Sequence, residues 1–265
     1  MARCKFDVVQ DGGSFSNAFV NMPFTPGFHQ GALRIGGGCG YSDPSIMNAI
    51  PGYVEEGLAG INCTVVSGGT MDIDAKFDSE RQATVFNPKS FMITIIPALL
   101  KQKGFKIIAA STTPRTGQME LGEEFGTLFV SEKYAIDFRQ DHAVVFQKDA
   151  MEIVDADWVA DVLPFLKVHR GWQEKGVKSC WWGIEGGGGT RKEATWYLEH
   201  GIHCIITDGS GRQSDAMAKE FREGKLLVRN GAGDPVPVDP SLVTIVPFLD
   251  AKALNAALRA QGIIV

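Results

Sequence analysis

The stretch "SCWWGIEGGGGTRKE", residues 179–193, decides how this chain is read. A run of large apolar residues ends at a glutamate, four consecutive glycines follow, and a helical pattern then begins. Glycine weakens helices and strands alike, so four in a row need a reason. They form either a slack linker or a loop that lets something approach the backbone. The flanks favour the loop: residues 179–187 read as a strand and residues 190–200 as a helix, so the glycines sit inside one βα unit.

The same unit recurs on both sides. "ALRIGGG" (32–38) reads as a strand before a helix at 45–58, and "NCTVVSGG" (62–69) before a helix at 91–102. "FKIIAAST" (105–112) is a further strand, and "HCIITDGSG" (203–211) precedes a helix at 213–222. "HAVVFQ" (142–147) and "SLVTIVPF" (241–248) also read as strands. Residues 156–176 read as helical with Pro164 as a kink or boundary, and 251–261 as a closing helix. Continuous apolar strands alternating with helices predict a parallel sheet covered on both faces. The expected class is therefore α/β, a Rossmann-like doubly wound parallel sheet. Residues 70–90 and 113–140 match no strong pattern and read as long lids or binding loops. Residues 1–31 read as an arm or small hairpin, and 32–265 as a single domain.

Placement gives the glycines their meaning. Gly37 and Gly38, then Gly68, Gly69 and Thr70, then Gly186, Gly187, Gly188, Gly189 and Thr190, and finally Gly209, Ser210, Gly211 and Arg212 all follow predicted strands. All are expected at the carboxyl edge of one sheet, where open α/β sheets bind ligands at the point of strand-order reversal. Two of these loops open into helices, whose N-termini offer unpaired N–H groups to an anion. A phosphate cradle is one reading. Tight βα turns are the other, and Thr190 with Glu193 also fits a T-x-x-E capping box. The common fingerprints are absent: no strand leads into G-x-G-x-x-G, and there is no G-x-x-x-x-G-K-[ST] or G-x-S-x-G.

The bulk properties narrow the partners. The chain has 265 residues, 44% hydrophobic and 22% charged, with net charge −5. A broad basic surface for nucleic acid is not expected. No apolar run reaches the ~20 residues that span a membrane, and the N-terminus lacks a leader pattern. Five cysteines without a CxxC pair fit a reduced, cytoplasmic protein. His200, His203 and Cys204 are close in sequence, but they join a helix end to a strand start, away from the glycine edge, so no metal site is expected. No cofactor is expected either.

At the glycine loops a resemblance emerges. "GGGGTRKE" (186–193) resembles the second half of the P-G-G-x-G-T-x-x-E motif of the LOG/lysine-decarboxylase-like phosphoribohydrolases, with Glu185 in place of the proline. "CIITDGSGRQSDAMA" (204–218) resembles the LSDAT, or SLOG, region of TRPM channels and its bacterial relatives, and "GIEGG" (183–187) is similar to the "EGG" of that group. The resemblance covers about residues 32–222. It implies a SLOG-like fold and a nucleotide-derived ligand of the ADP-ribose or cyclic ADP-ribose type, sensed or sequestered, with Ser210, Gly211 and Arg212 at its phosphates. It also implies an oligomer. The LOG side implies a different activity: cleavage of a nucleotide N-glycosidic bond, with Glu193 as the catalytic carboxylate and Arg170 as its arginine.

Overall fold

The computed structural model describes residues 5–9, 22, 28–29, 31–38, 42–68, 70–78, 83–88, 92–113, 120–122, 127–129, 134–136, 140–147 and 162–263. Strands β1 (Lys5–Val9) and β2 (Gly31–Gly37) precede helix α1 (Pro44–Gly57). Next come β3 (Thr64–Ser67), β4 (Thr70–Asp78), β5 (Ala83–Pro88) and α2 (Met92–Gln102). Then follow β6 (Lys106–Thr113), β7 (Glu120–Gly122), β8 (Thr127–Phe129), β9 (Tyr134–Ile136) and β10 (His142–Gln147). The second half runs through α3 (Val162–Glu174), β11 (Lys178–Ile184), α4 (Gly188–Glu199), β12 (His203–Asp208) and α5 (Arg212–Arg222). A hairpin of β13 (Leu227–Arg229) and β14 (Pro235–Pro237), then β15 (Val243–Pro247) and α6 (Ala251–Ala260), complete it.

Eight strands form one sheet in the order β1-β10-β6-β3-β2-β11-β12-β15, and every neighbouring pair is parallel. From β2 the chain steps outward through β3, β6 and β10. It then returns past β2 to lay down β11, β12 and β15 on the other side. The strand order therefore reverses between β2 and β11, and the crevice that a doubly wound sheet opens at such a point lies beyond Gly37 and Ile184. This is the α/β Rossmann-like architecture that the strand pattern predicts.

Side-chain alternation along the strands feeds buried clusters on both faces of the sheet. Leu33, Ile35, Cys180, Trp182 and Ile184 pack with Ile50 and Tyr53 of α1, Ile96 and Leu100 of α2, and Leu254 and Leu258 of α6. On the opposite face Trp181 and Ile206 pack with Leu166 of α3, Ala194, Tyr197 and Leu198 of α4, and Met217 of α5. The adjacent tryptophans thus go to opposite faces, and both are fully buried. Trp182 keeps its indole N–H satisfied by donating to Thr207 Oγ1 at 2.8 Å.

The sheet also explains two glycines inside its strands. Gly36 and Gly183 are register partners on adjacent strands, and the Trp181 ring lies over both. A Cβ at Gly36 would sit 2.3 Å from Trp181 Cζ2, and one at Gly183 would sit 2.1 Å from Cη2. Those two positions make room for an indole.

Three readings from sequence need correction. Residues 5–9, read as part of an arm or hairpin, form the edge strand β1, parallel to β10. Segments 70–90 and 113–140, read as loops, contribute β4, β5 and β7–β9, which form a five-stranded sheet in the order β5-β4-β9-β8-β7. Their pairing is antiparallel, β7–β9 have three residues each and β4 carries charges along its length, so the sheet lacks the continuous apolar runs that make the parallel strands legible. Helix α4 begins at Gly188 with extended Gly187 as its N-cap, so Thr190 is the third helical residue and not the cap of a T-x-x-E box. Of the two readings of Pro164, kink or boundary, the boundary holds: it falls in the first turn of α3, where a proline is tolerated.

Candidate functional site

The crevice is walled by the ends of β2 and β11 and by the starts of α1 and α4. Asp43 caps α1: its Oδ1 accepts from Ser45 N at 2.8 Å, and Pro44 occupies the first helical position, where its missing N–H is not needed. Gly186 has φ +88, and a Cβ there would collide with Thr190 Oγ1 at 2.3 Å, so this turn admits no side chain. Thr190 Oγ1 donates to Gly37 O at 3.0 Å and accepts from Gly187 N at 3.3 Å. One buried hydroxyl therefore fastens the β11 loop to the β2 loop across the switch point.

The β12 loop is fastened in turn. Ser210 Oγ accepts from Glu185 N at 2.9 Å and donates to Thr207 O at 3.0 Å. Glu185 O accepts from Ser214 N at 2.9 Å and from Ser214 Oγ at 2.8 Å. Asp215 Oδ1 accepts from Gly209 N at 2.8 Å and Gly211 N at 2.9 Å. This departs from the sequence reading. Ser210 is buried with its hydroxyl used twice, and the Gly209 and Gly211 amides point at Asp215, so these three positions shape the loop. Asp208 pairs with Arg222 Nη2 at 2.5 Å.

Among the described residues, Asp43, Pro44, Ser45, Gly188, Gly209 and Arg212 are exposed at this edge. Gly188 opens α4 and is exposed, and a Cβ there would touch nothing within 4 Å. Gly187 is half-buried, and the Arg212 guanidinium reaches over it, with Nη2 3.4 Å from where a Gly187 Cβ would stand. The first-turn amides of α4 have no carbonyl partner within the helix and carry its positive dipole end. Gly189 turns inward and is buried, as is Gly38 beyond β2. Gly68 is half-buried at the end of β3. Gly69 lies outside the described residues, and Thr70 starts β4.

From Gly188 a groove of about 560 Å³ continues along α4 toward the β13–β14 hairpin. Arg191, Lys192, Trp196, Leu227 and Arg229 line it. Arg191 is held by a two-point contact to Glu220 at 2.8 and 2.5 Å, and Lys192 Nζ stands 5.2 Å from the Trp196 ring centroid.

Under α4 lies a buried charge pair that the sequence reading missed. Arg34, in the middle of β2 and 2% exposed, donates from Nε to Glu193 Oε1 at 2.6 Å and from Nη1 to Ser67 O at 2.7 Å. His169 of α3 is fully buried nearby, and its pKa is pushed down to about 3 by burial and then by the Arg34 charge. Arg170, the residue assigned to Glu193 by resemblance, is exposed on α3. The signal for Arg34 was present: an arginine inside an otherwise apolar strand needs a buried acidic partner.

Cys63, Cys180 and Cys204 are buried thiols, and burial pushes Cys63 up to about 12 and raises the other two. His203 Nε2 contacts Thr244 Oγ1 at 2.8 Å, and His200 ends α4, so the "HGIHC" residues serve the helix-to-strand connection. Among the described residues no helix is long and apolar enough to cross a membrane.

The fold and its crevice define an α/β, Rossmann-like protein whose glycine-rich strand ends meet at the switch point. No family model matches the chain, and no curated protein matches it. Among solved structures it is similar to the molybdenum cofactor carrier protein of Chlamydomonas reinhardtii, at 12% identity over 87% of this chain and 97% of that one, with a TM-score of 0.48. A second structure of that carrier gives 11% identity, the same coverage of both chains and a TM-score of 0.46. The structural-genomics target TM1055 gives 12% identity over 87% of this chain and 99% of that one, with a TM-score of 0.48.

Proposed function

We propose that the protein binds a nucleotide-derived small molecule of the ADP-ribose or cyclic ADP-ribose type in the β2–β11 crevice, and thereby senses or sequesters it. The observation that carries this reading is the meeting of the open α4 N-terminus at Gly187–Gly188 with the Arg212 guanidinium. Helix amides beside a guanidinium suit a phosphate. The groove that begins at Gly188 and runs past Arg191, Lys192 and Trp196 adds cations and one aromatic face for the rest of a two-ended ligand. Its volume lies within the range of small-molecule sites.

Hydrolysis of an N-glycosidic bond is less well supported. That reaction needs a carboxylate beside an anomeric carbon. Glu193 is already bonded to Arg34, and Arg170 faces solvent. The test is incubation of the purified chain with AMP, NAD, ADP-ribose and cyclic ADP-ribose, followed by filtration and chromatography of both fractions. Recovery of one compound, intact, from the denatured protein is the expected result. Free base with ribose phosphate in the filtrate would overturn the binding reading in favour of the hydrolase.

A further inference from the structure

Glu185 carries two unfavourable features at once. It is a non-glycine residue in the left-handed region, with φ +53, and it is 1% exposed. Its backbone is fixed on both sides by Ser210 and Ser214. Its side chain reaches across the crevice to the start of α1, where Oε1 accepts from Asp43 N at 3.1 Å. The second oxygen, Oε2, is buried without a hydrogen-bond partner, and so is the hydroxyl of Ser42, the residue next to Asp43. A buried polar atom without a partner is unfavourable, and backbone strain coinciding with one inside a crevice is typical of a binding residue.

The two atoms define what would satisfy them. Oε2 of a carboxylate accepts, and the Ser42 hydroxyl both donates and accepts. A phosphate ester oxygen offers no proton to Oε2. A sugar hydroxyl donates to the carboxyl group and accepts from the serine. We infer that Glu185, with Ser42 next to its partner Asp43 in the chain, binds a ribose hydroxyl of the ligand, so that the crevice selects ribonucleotides over their deoxy counterparts. This rests on the nucleotide reading of the same crevice. It places the sugar between the phosphate end at Gly188 and the α1 N-terminus.

The experiment uses the full chain and calorimetric titration with AMP and ADP-ribose, each against its 2′-deoxy and 3′-deoxy forms. The variants are Glu185→Gly and Glu185→Asn, because both residues tolerate a left-handed φ and keep the turn. The wild-type protein is expected to prefer at least one ribose form by about tenfold or more, as sites built around a hydroxyl do. The variants should lose that preference while Tm is unchanged or raised. Equal binding of ribose and deoxy forms by the wild type overturns the inference and leaves the crevice reading standing. A preference that survives in Glu185→Gly, or a Tm that falls sharply in it, also overturns the inference, by making the carboxyl group a structural tie to α1. No binding by any probe overturns both.

Discussion

Arg34 on β2 and Glu193 on α4, 159 residues apart, meet in the interior with Nε 2.6 Å from Oε1. The pair fastens α4, whose first turn forms the edge of the crevice, to the central strand of the sheet. Arg34 also donates to Ser67 O at the end of β3, so one guanidinium ties three elements together. Replacing both partners of a buried pair by apolar groups is often tolerated, whereas removing one leaves the other buried alone. Arg34→Met is therefore expected to lower stability by about 3–5 kcal/mol. The double variant Arg34→Met, Glu193→Leu should recover most of that loss. Urea unfolding with an unchanged m-value measures both. A loss below about 1 kcal/mol in the single variant would mean that solvent reaches Glu193 and that the pair does not anchor α4.

Gly183→Ala places a methyl group against the Trp181 ring, which is fully buried and has nowhere to move. Overpacking of this kind costs about 1–3 kcal/mol. Trp181→Leu makes a cavity by itself, but in combination with Gly183→Ala the two defects offset each other. A double-mutant cycle by chemical denaturation should give a favourable coupling of about 1 kcal/mol or more. Additive losses would show that the ring does not press on Gly183.

His169 makes stability depend on pH in a defined direction. Its pKa is about 3 in the folded chain against 6.5 ordinarily, because burial and then Arg34 oppose its charge. As pH falls below 6.5 the unfolded chain takes up a proton that the folded chain refuses. The stabilisation is therefore complete above pH 6.5 and is lost progressively toward pH 3. Linkage gives a loss of about 2 kcal/mol between pH 7 and pH 5 from this one group. His169→Leu should lack that component, so the difference between the two proteins in urea unfolding should shrink by this amount over that range. Parallel pH profiles would place a proton on His169 in the folded state.

The parallel sheet was legible because its strands are buried on both faces and read as unbroken apolar runs. The β12 segment, His203–Asp208, and the switch-point segment, Lys178–Ile184, are of this kind. The strands of the second sheet carry charges such as Asp72, Asp74 and Lys76 in β4, and their order comes from pairing that no local pattern encodes. At the site, the glycine loops announced the crevice but not the division of labour within it. That Thr190, Ser210 and Asp215 spend their hydrogen bonds on the backbone of the β2, β11 and β12 loops is a property of three loops meeting, and it appears only once the strands are adjacent. Arg34 and Glu185 are different. A charge inside an apolar run and a glutamate in place of a turn-forming residue were both visible, and each pointed to a partner far away in sequence.

Arg212 gives the sharpest separation of binding from stability. It is exposed, it opens α5, and its φ of +57 is one that a glycine adopts without strain. Arg212→Gly therefore relieves the backbone while it adds freedom to the unfolded chain, and the net change should stay within about 1 kcal/mol. The same change removes the guanidinium that reaches over Gly187. A hydrogen bond to a charged group contributes about 1.5–3 kcal/mol, so affinity for ADP-ribose should fall by roughly 10- to 150-fold. Thermal unfolding and calorimetric titration on the same preparation give the two readouts. Lost binding with an intact Tm supports a phosphate contact. Binding that survives would remove Arg212 from the site and leave the α4 amides as its anion-binding groups. A collapse in Tm would instead make Arg212 a structural tie between the β11 and β12 loops.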